Sequence, residues 1–274
     1  MKEKKRLDSL LCERGLVSSR SIAQSLIVQG KVFVNGAKCV KPGTSFPVEA
    51  SVELQENKSR FVSRGGLKLE HALMTSGLRV KGEVAIDIGA STGGFTDCLL
   101  QRGAARVYAV DVGRGQLDYS LRNDLRVISF EKTNARYVEE GFFPEMAGII
   151  TVDVSFISVD KILPVVVKFL REGGSFVVLI KPQFEAGRAQ VKKGVVRDPA
   201  VHENVLIKAL QSSTACGLSC FFITHSPIQG PSGNIEFFIL LRRTGDDDRT
   251  WGEDEVYRVV KEAHQSFGND APLH

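Results

Sequence analysis

Val84-Ala85-Ile86-Asp87-Ile88-Gly89-Ala90-Ser91-Thr92-Gly93-Gly94-Phe95-Thr96-Asp97 is the stretch from which the rest of the chain is read. Its opening is apolar and rich in β-branched residues, which predicts a buried strand closing near Asp87. Three glycines follow, and then a helix through Cys98-Leu99-Leu100 with Thr92 or Thr96 as its N-cap. Glycines in that turn let a ligand approach the backbone without meeting a Cβ. Strand, Gly-rich turn and helix together open a nucleotide-type site. A second strand over 106–110 ends in Asp111, where a doubly wound fold sets a carboxylate on a ribose. The plainer alternative is a tight turn with a capping acid.

Downstream, the pattern alternates. A short helix is expected over 116–123 and a third strand over 125–130, followed by Asn134. A fourth strand over 148–153 closes on a second acid, Asp153, and Val154-Ser155-Phe156-Ile157-Ser158 reads as a turn. A helix over 159–170 should stop at Gly173-Gly174, with Pro164 tolerated near its first turn. The fifth strand, 175–180, runs into Lys181-Pro182-Gln183-Phe184-Glu185. Residues 186–198 read as a mobile basic loop, before a helix over 199–216. The last two strands, 218–226 and 235–241, leave no room for a helix between them and must pair antiparallel. Upstream, Arg64-Gly65-Gly66 reads as a hinge before a helix that buries Leu67, Leu69, Ala72 and Leu73. Lys68 stands near that helix's N-terminus, where negative charge is favoured. Such local inconsistency points towards function, against the simpler reading of a surface lysine.

The front of the chain differs. Leu7, Leu10 and Leu11 have helical spacing before Gly15. Ser18 or Ser19 can cap a second helix with Ile22, Ala23, Leu26 and Ile27 on one face and Gly30 at its end. Asn35-Gly36 between apolar runs signals a hairpin, Pro42-Gly43 another turn, and 51–54 a short strand. Residues 1–60 carry 11 Lys and Arg against 6 Asp and Glu, net +5, whereas 61–274 are net −1 with 25 against 26. A basic front on a near-neutral body suggests a polyanion-binding module, with a merely solvated face as the alternative. Three segments are expected: a small domain over 1–60, a linker over 61–66 and a large domain over 67–274. The apolar runs at 176–180 and 237–241 are strand-sized, and Asp8 and Glu13 interrupt any signal-peptide core. Cys12, Cys39, Cys98, Cys216 and Cys220 form no CxxC pair. No metal site or disulfide framework is expected, and reduced thiols suit a cytoplasmic protein with no membrane partner.

Two resemblances sharpen this. R-L-D, E-R-G-L, S-R and G-K-V-F-V-N-G over 6–54 resemble the S4 domain, a small α+β RNA-binding module. The resemblance implies RNA contact through the first two helices, with Arg6, Arg14, Arg20, Lys31, Lys38 and, beyond the domain, Arg64 as candidate contacts. Alternating β/α units with a terminal hairpin match an α/β, Rossmann-like methyltransferase with a mixed seven-stranded sheet. Residues 61–243 resemble the FtsJ-type RNA ribose methyltransferases. With the S4 module in front, F-V-S-R-G-G-x-K-L, D-I-G-A-S-T-G-G-F-T-D, V-D-V-S-F-I-S and K-P-Q-F-E resemble the TlyA family. Its members are often called hemolysins, and characterised ones methylate ribosomal RNA ribose. The resemblance implies methyl transfer from S-adenosylmethionine to a ribose 2′-hydroxyl, of a cytidine in 16S or 23S rRNA. It implies cofactor contacts at Asp87, Gly89, Ala90, Ser91, Thr92, Gly93, Gly94, Asp111, Asn134 and Asp153, with Asn134 near the adenine. The family's Lys-Asp-Lys-Glu tetrad falls on Lys68, Asp153, Lys181 and Glu236. Lys181 can serve as a base if neutral, or stabilise a developing alkoxide if charged. The rival classes are a membrane-lytic protein, suggested by the hemolysin name, and an RNA-binding protein with an inactive methyltransferase domain.

Overall fold

The computed structural model describes residues 3–17, 19–28, 30–54, 60–243 and 252–268. The chain separates into two units, Met1–Ser59 and Arg60–His274. The first runs β1 (Lys4–Arg6), α1 (Leu7–Glu13), α2 (Arg20–Val28), β2 (Val32–Val34), β3 (Ala37–Cys39), β4 (Ser45–Pro47) and β5 (Val52–Leu54). Strand β2 lies between β3 and β5, both antiparallel to it. The β2–β3 turn sets Asn35 at φ 50° and Gly36 at φ 77°, the left-handed pair a type I′ hairpin needs. Leu7, Leu11, Ala23, Ile27, Val32 and Val34 form the core. The Ser19 hydroxyl accepts the Ile22 N–H at 3.3 Å, capping α2, while Ser18 lies outside the described residues. Ile22 is 37% exposed and so leaves the buried face expected of it. The pairing of β1 with β4 was not expected, because three-residue strands leave too little alternation to read.

The second unit runs α3 (Gly65–Ser76), β6 (Val84–Ile88), α4 (Gly94–Gln101), β7 (Arg106–Val110), α5 (Tyr119–Arg122), β8 (Val127–Phe130), β9 (Ala147–Val152), α6 (Leu163–Val166), β10 (Leu170–Ile180), α7 (Pro182–Glu185), α8 (Pro199–Ala215), β11 (Ser219–His225), β12 (Phe237–Arg242) and α9 (Glu253–Gly268). Its seven strands lie in the order β11-β12-β10-β9-β6-β7-β8. Strands β6 to β10 are mutually parallel, and β12 runs antiparallel between β10 and β11. Both faces of the sheet are covered. Ile86 and Ile88 face a layer that includes Val205 and Leu206 of α8 and Val256 and Val260 of α9. Ala85 faces the layer of Leu69 and Leu73 from α3 and Phe95 and Leu99 from α4. The chain leaves β6 towards β7 and β8, then returns to add β9 on the other side of β6. The topological switch therefore falls between β6 and β9.

Several local expectations need correction. Residues 61–66 are not a hinge: Phe61 is buried, the Val62 N–H donates to Asp97 at 2.8 Å, and Gly65 and Gly66 already belong to α3. A Cβ on Gly66 would lie 2.2 Å from the Phe61 ring, so the glycine permits close packing, not flexibility. Leu67 is 41% exposed, whereas Lys68 is buried. The continuous helix expected over 159–170 is broken into two 3-10 turns around α6, with Pro164 in its first turn. Gly173-Gly174 does not end a helix; it sits inside β10, where the register with β9 shifts between Leu170 and Ser175. The helix expected over 116–123 shrinks to α5, and Leu125 is fully exposed ahead of β8. The basic loop of 186–198 is tied down: the Val196 N–H donates to Asn234 Oδ1 at 3.0 Å, and Asn234 Nδ2 donates to the Gly194 carbonyl at 2.8 Å.

Helices α8 and α9 meet through His202 Nδ1 and His264 Nε2, 2.9 Å apart, with the His202 ring edge-on to Phe237. Burial pushes His202 down to about 4, helped by His264, which burial lowers too. A folded-state value below the unfolded one means that the unfolded chain takes up the proton first. This contribution is present above about pH 6.5 and is lost as pH falls towards 4. His202→Gln should therefore show a shallower loss of stability than the parent between those limits, by at most about 3 kcal/mol. Denaturant melts at several pH values measure it.

Candidate active site

Two cavities open at the switch point. The first, about 740 Å³, includes Gly89, Ala90, Ser91, Thr92 and Gly94 from the turn after β6 in its lining, and all of Lys68, Asp153, Lys181 and Glu236. The second, about 430 Å³, is bounded by Asp111, Asn134 and apolar Ile88, Val110, Ile157 and Ile162. Gly89, Ser91, Asp153, Ser155 and Phe156 border both. Three features of the sequence build this arrangement. Strand β6 ends against β9, so the Asp153 N–H donates to the Ile88 carbonyl at 2.9 Å. Gly89, at φ 86°, turns the chain there; a Cβ on it would lie 2.3 Å from the Asp153 carbonyl oxygen. Asp111, just past β7, accepts the Ser91 N–H at 2.8 Å and the Gly113 N–H at 2.6 Å, fixing two loops at once.

The four tetrad candidates resolve into two ion pairs. Lys68 pairs with Glu236, both nearly devoid of solvent contact. Lys181 Nζ lies 2.5 Å from Asp153 Oδ1 and donates to the Ser155 hydroxyl at 3.0 Å. The Lys181–Asp153 approach lacks hydrogen-bond alignment, so that carboxylate oxygen is held by charge alone. A Cβ on Gly230 would lie 2.6 Å from Glu236 Oε1, so that glycine leaves space for the carboxylate. Lys68 is thus explained: its helix position is unfavourable in isolation, but Glu236 supplies the missing charge.

Not every candidate lies in the cavities. Asp87 is wholly buried and accepts from the Thr96 hydroxyl at 2.7 Å and the Thr151 hydroxyl at 2.8 Å. Burial raises its carboxyl to about 6, partly opposed by those two hydroxyls. It braces the turn from beneath. Gly93, at φ 96°, is the N-cap of α4, so neither Thr92 nor Thr96 takes that place; Thr92 lines the first cavity and Thr96 serves Asp87. The Asn134 side-chain Oδ1 accepts the Arg136 N–H at 3.1 Å beside the second cavity. Arg64 borders the first cavity, donating to the Gln229 carbonyl at 2.7 Å. In the first unit, Arg6 and Arg20 converge on Asp8. Arg14 instead donates to the Val48 carbonyl at 2.5 Å, and Lys38 lies over the Phe33 ring at 5.9 Å.

Sequence reasoning missed Phe156, Phe184 and Glu185. Phe156 is 89% exposed at φ 64°, a strained conformation for a bulky residue, and its ring meets Phe184 at 4.8 Å between centroids. Glu185 accepts the Ser158 hydroxyl at 2.5 Å and the Val159 N–H at 3.0 Å, tying the two loops together. For Phe156, a large aromatic three residues beyond a strand-ending acid was the available signal.

Residues 61–243 match the FtsJ-like methyltransferase family and residues 5–50 the S4 domain. YqxC of Bacillus subtilis, named provisionally as an rRNA methyltransferase, is 47% identical over 97% of this chain and 96% of its own. The 16S/23S rRNA (cytidine-2′-O)-methyltransferase TlyA of Mycobacterium tuberculosis is 41% identical, covering 96% of this chain and 99% of its own. A solved structure from Streptococcus thermophilus, titled provisionally as a hemolysin, is 44% identical with a TM-score of 0.75, covering 98% of each chain. The fold is that of an FtsJ-like methyltransferase. With its S4 domain in front, the chain belongs to the TlyA family.

The closeness of Gly89 to the Asp153 backbone gives a direct expectation. Gly89→Ala should lower stability by about 1–3 kcal/mol, through both the positive φ and the 2.3 Å approach. Gly77→Ala has a similar φ of 70° but open space around it, and should cost less. Thermal melts of the two variants make the comparison.

Proposed function

We infer that this chain methylates the ribose 2′-hydroxyl of a cytidine in ribosomal RNA, taking the methyl from S-adenosylmethionine. The observation that carries this reading is the gathering of Lys68, Asp153, Lys181 and Glu236 in one cleft beside the glycine turn. The choice of cytidine rests on the name of the M. tuberculosis relative.

The residues present fit the cofactor. Gly89 and its neighbours form a turn that a side chain would obstruct. Both Asp111 carboxylate oxygens accept backbone N–H groups and keep lone pairs for ribose hydroxyls. The apolar lining of the second cavity suits an adenine, with Asn134 at its edge. S-adenosylmethionine, when bound, supplies an electrophilic methyl group. The protein's part is to align the acceptor oxygen and meet its developing charge. Lys181 lies where it can donate to that oxygen; Ser155 accepts from its ammonium, and Asp153 supplies the opposing charge. The Lys68–Glu236 pair makes the adjoining wall, its charges matched out of water. A nucleotide must leave its stack for the ribose to enter, and the exposed Phe156 ring offers its base a stacking face. The first unit, with the half-exposed Arg6 and Arg20, supplies phosphate contacts that position RNA without reading sequence.

The intact ion pairs favour an enzyme over a binding protein with a dead catalytic domain. Among the described residues, no helix is long and apolar enough to cross a membrane. A lytic activity would show as dye release from lipid vesicles by the detergent-free protein.

Lys181→Ala and Asp153→Ala should each lower methyl transfer to ribosomal subunits by at least about a hundredfold, with the melting temperature retained. Tritiated methyl incorporation and ribose mapping measure this, and near-normal turnover by both would refute the assignment. Removing residues 1–59 should leave S-adenosylmethionine affinity, read by calorimetry, nearly unchanged. The same truncation should sharply weaken binding to subunits. Equal subunit binding by the truncated and full chains would move RNA recognition into the methyltransferase unit.

A further inference from the structure

The first unit buries an acid beneath two of its arginines. The Asp8 carboxylate has no solvent-accessible surface, although it lies close beneath the surface of a small unit. Its cover is made of side chains. Arg6 donates to it through Nε at 3.1 Å and Nη2 at 2.9 Å. Arg20 approaches through Nη2 at 3.3 Å and Nε at 3.2 Å. Gln24 donates at 2.9 Å, and the Ser9 hydroxyl lies at 3.4 Å. Both arginine side chains remain about half exposed, at 49% and 54%. The cluster of two cations and one anion keeps a net charge of +1. Gly43 leaves room on another side of Arg6; a Cβ there would lie 3.3 Å from Nη1. Asp8 is held well below the usual carboxylate range, chiefly by Arg6, so it remains ionised under the arginines.

We propose that Asp8 is a positioning residue for RNA: it orders Arg6 and Arg20 into a paired phosphate-binding fork, so that an acid strengthens binding to a polyanion. This rests on the RNA-binding reading of the first unit. A free arginine loses rotamer entropy when it grips a phosphate; one already held by a carboxylate has lost it in folding. Each guanidinium has five N–H donors in a fixed plane, so donating to Asp8 leaves others for a phosphate. Simple charge counting predicts the opposite, because a carboxylate should repel RNA. The alternative is a scaffold role alone, in which Asp8 merely favours the first turn of α1.

The sign of the effect separates these readings. The full-length protein is titrated into a labelled, mixed-sequence RNA hairpin, with anisotropy read at several salt concentrations. Arg6→Gln and Arg20→Gln should each weaken binding about tenfold and reduce the salt slope by about 0.9. Asp8→Asn, though it raises the net charge by one, should weaken binding by about fivefold. In the Arg6→Gln/Arg20→Gln background, Asp8→Asn should add no further loss, since it acts through those side chains. Arg6→Lys keeps the charge but not the fork, and should lose nearly as much as Arg6→Gln. This variant decides the matter if Asp8→Asn does not fold. Tighter or unchanged binding by Asp8→Asn overturns the proposal while leaving the RNA face intact. An equal loss in the arginine-free background also overturns it, in favour of a scaffold. Parent-like binding by both arginine variants removes the RNA face and the proposal together.

Discussion

The second unit depends on one close approach, between the backbone of Gly89 and the carbonyl of Asp153. Two parallel strands must end side by side for the chain to turn away in opposite directions, and their carboxyl ends then leave a crevice. Any side chain at position 89 would wedge them apart. Asp111 reinforces the crevice from the neighbouring strand, and Asp87 from below through two threonine hydroxyls. Backbone geometry comes first, and the charged groups are placed by it. Lys181 and Asp153 each stand one residue beyond the end of a strand, β10 and β9.

Much of this was legible in the sequence because the signals were local and strong. Continuous apolar strands between glycine turns, each ending in an acid or lysine, defined the parallel sheet and its functional edge. The Asn35-Gly36 hairpin was readable because two successive positive φ values demand those residues. What escaped was tertiary. Gly65-Gly66 resembled a hinge because glycine signals both freedom and close packing, and only the position of Phe61 distinguishes them. The double glycine inside β10 resembled a helix stop for the same reason. The pairing of Lys68 with Glu236 spans 168 residues, beyond any periodicity, and was reachable only through a family's motif.

The connection between β11 and β12 holds the site together. Gln229 takes Arg64, Asn234 takes the 194–196 backbone, and Glu236 takes Lys68. A loop rich in glycine and proline thereby ties together three segments distant in sequence. Its rigidity comes from its partners, since the buried Asn234 amide uses both its carbonyl and its NH₂.

Helix α9 has a practical consequence for anyone handling the protein. It is amphipathic, and Val256, Val259, Val260 and Ala263 complete the hydrophobic layer that also contains Val205 and Leu206 of α8. A chain shortened before Glu253 would leave that layer open to water, with His202 stripped of its His264 partner. Apolar surface uncovered in this way promotes self-association. Shortened forms should then be recovered as aggregates, and a purification handle belongs at the other end of the chain.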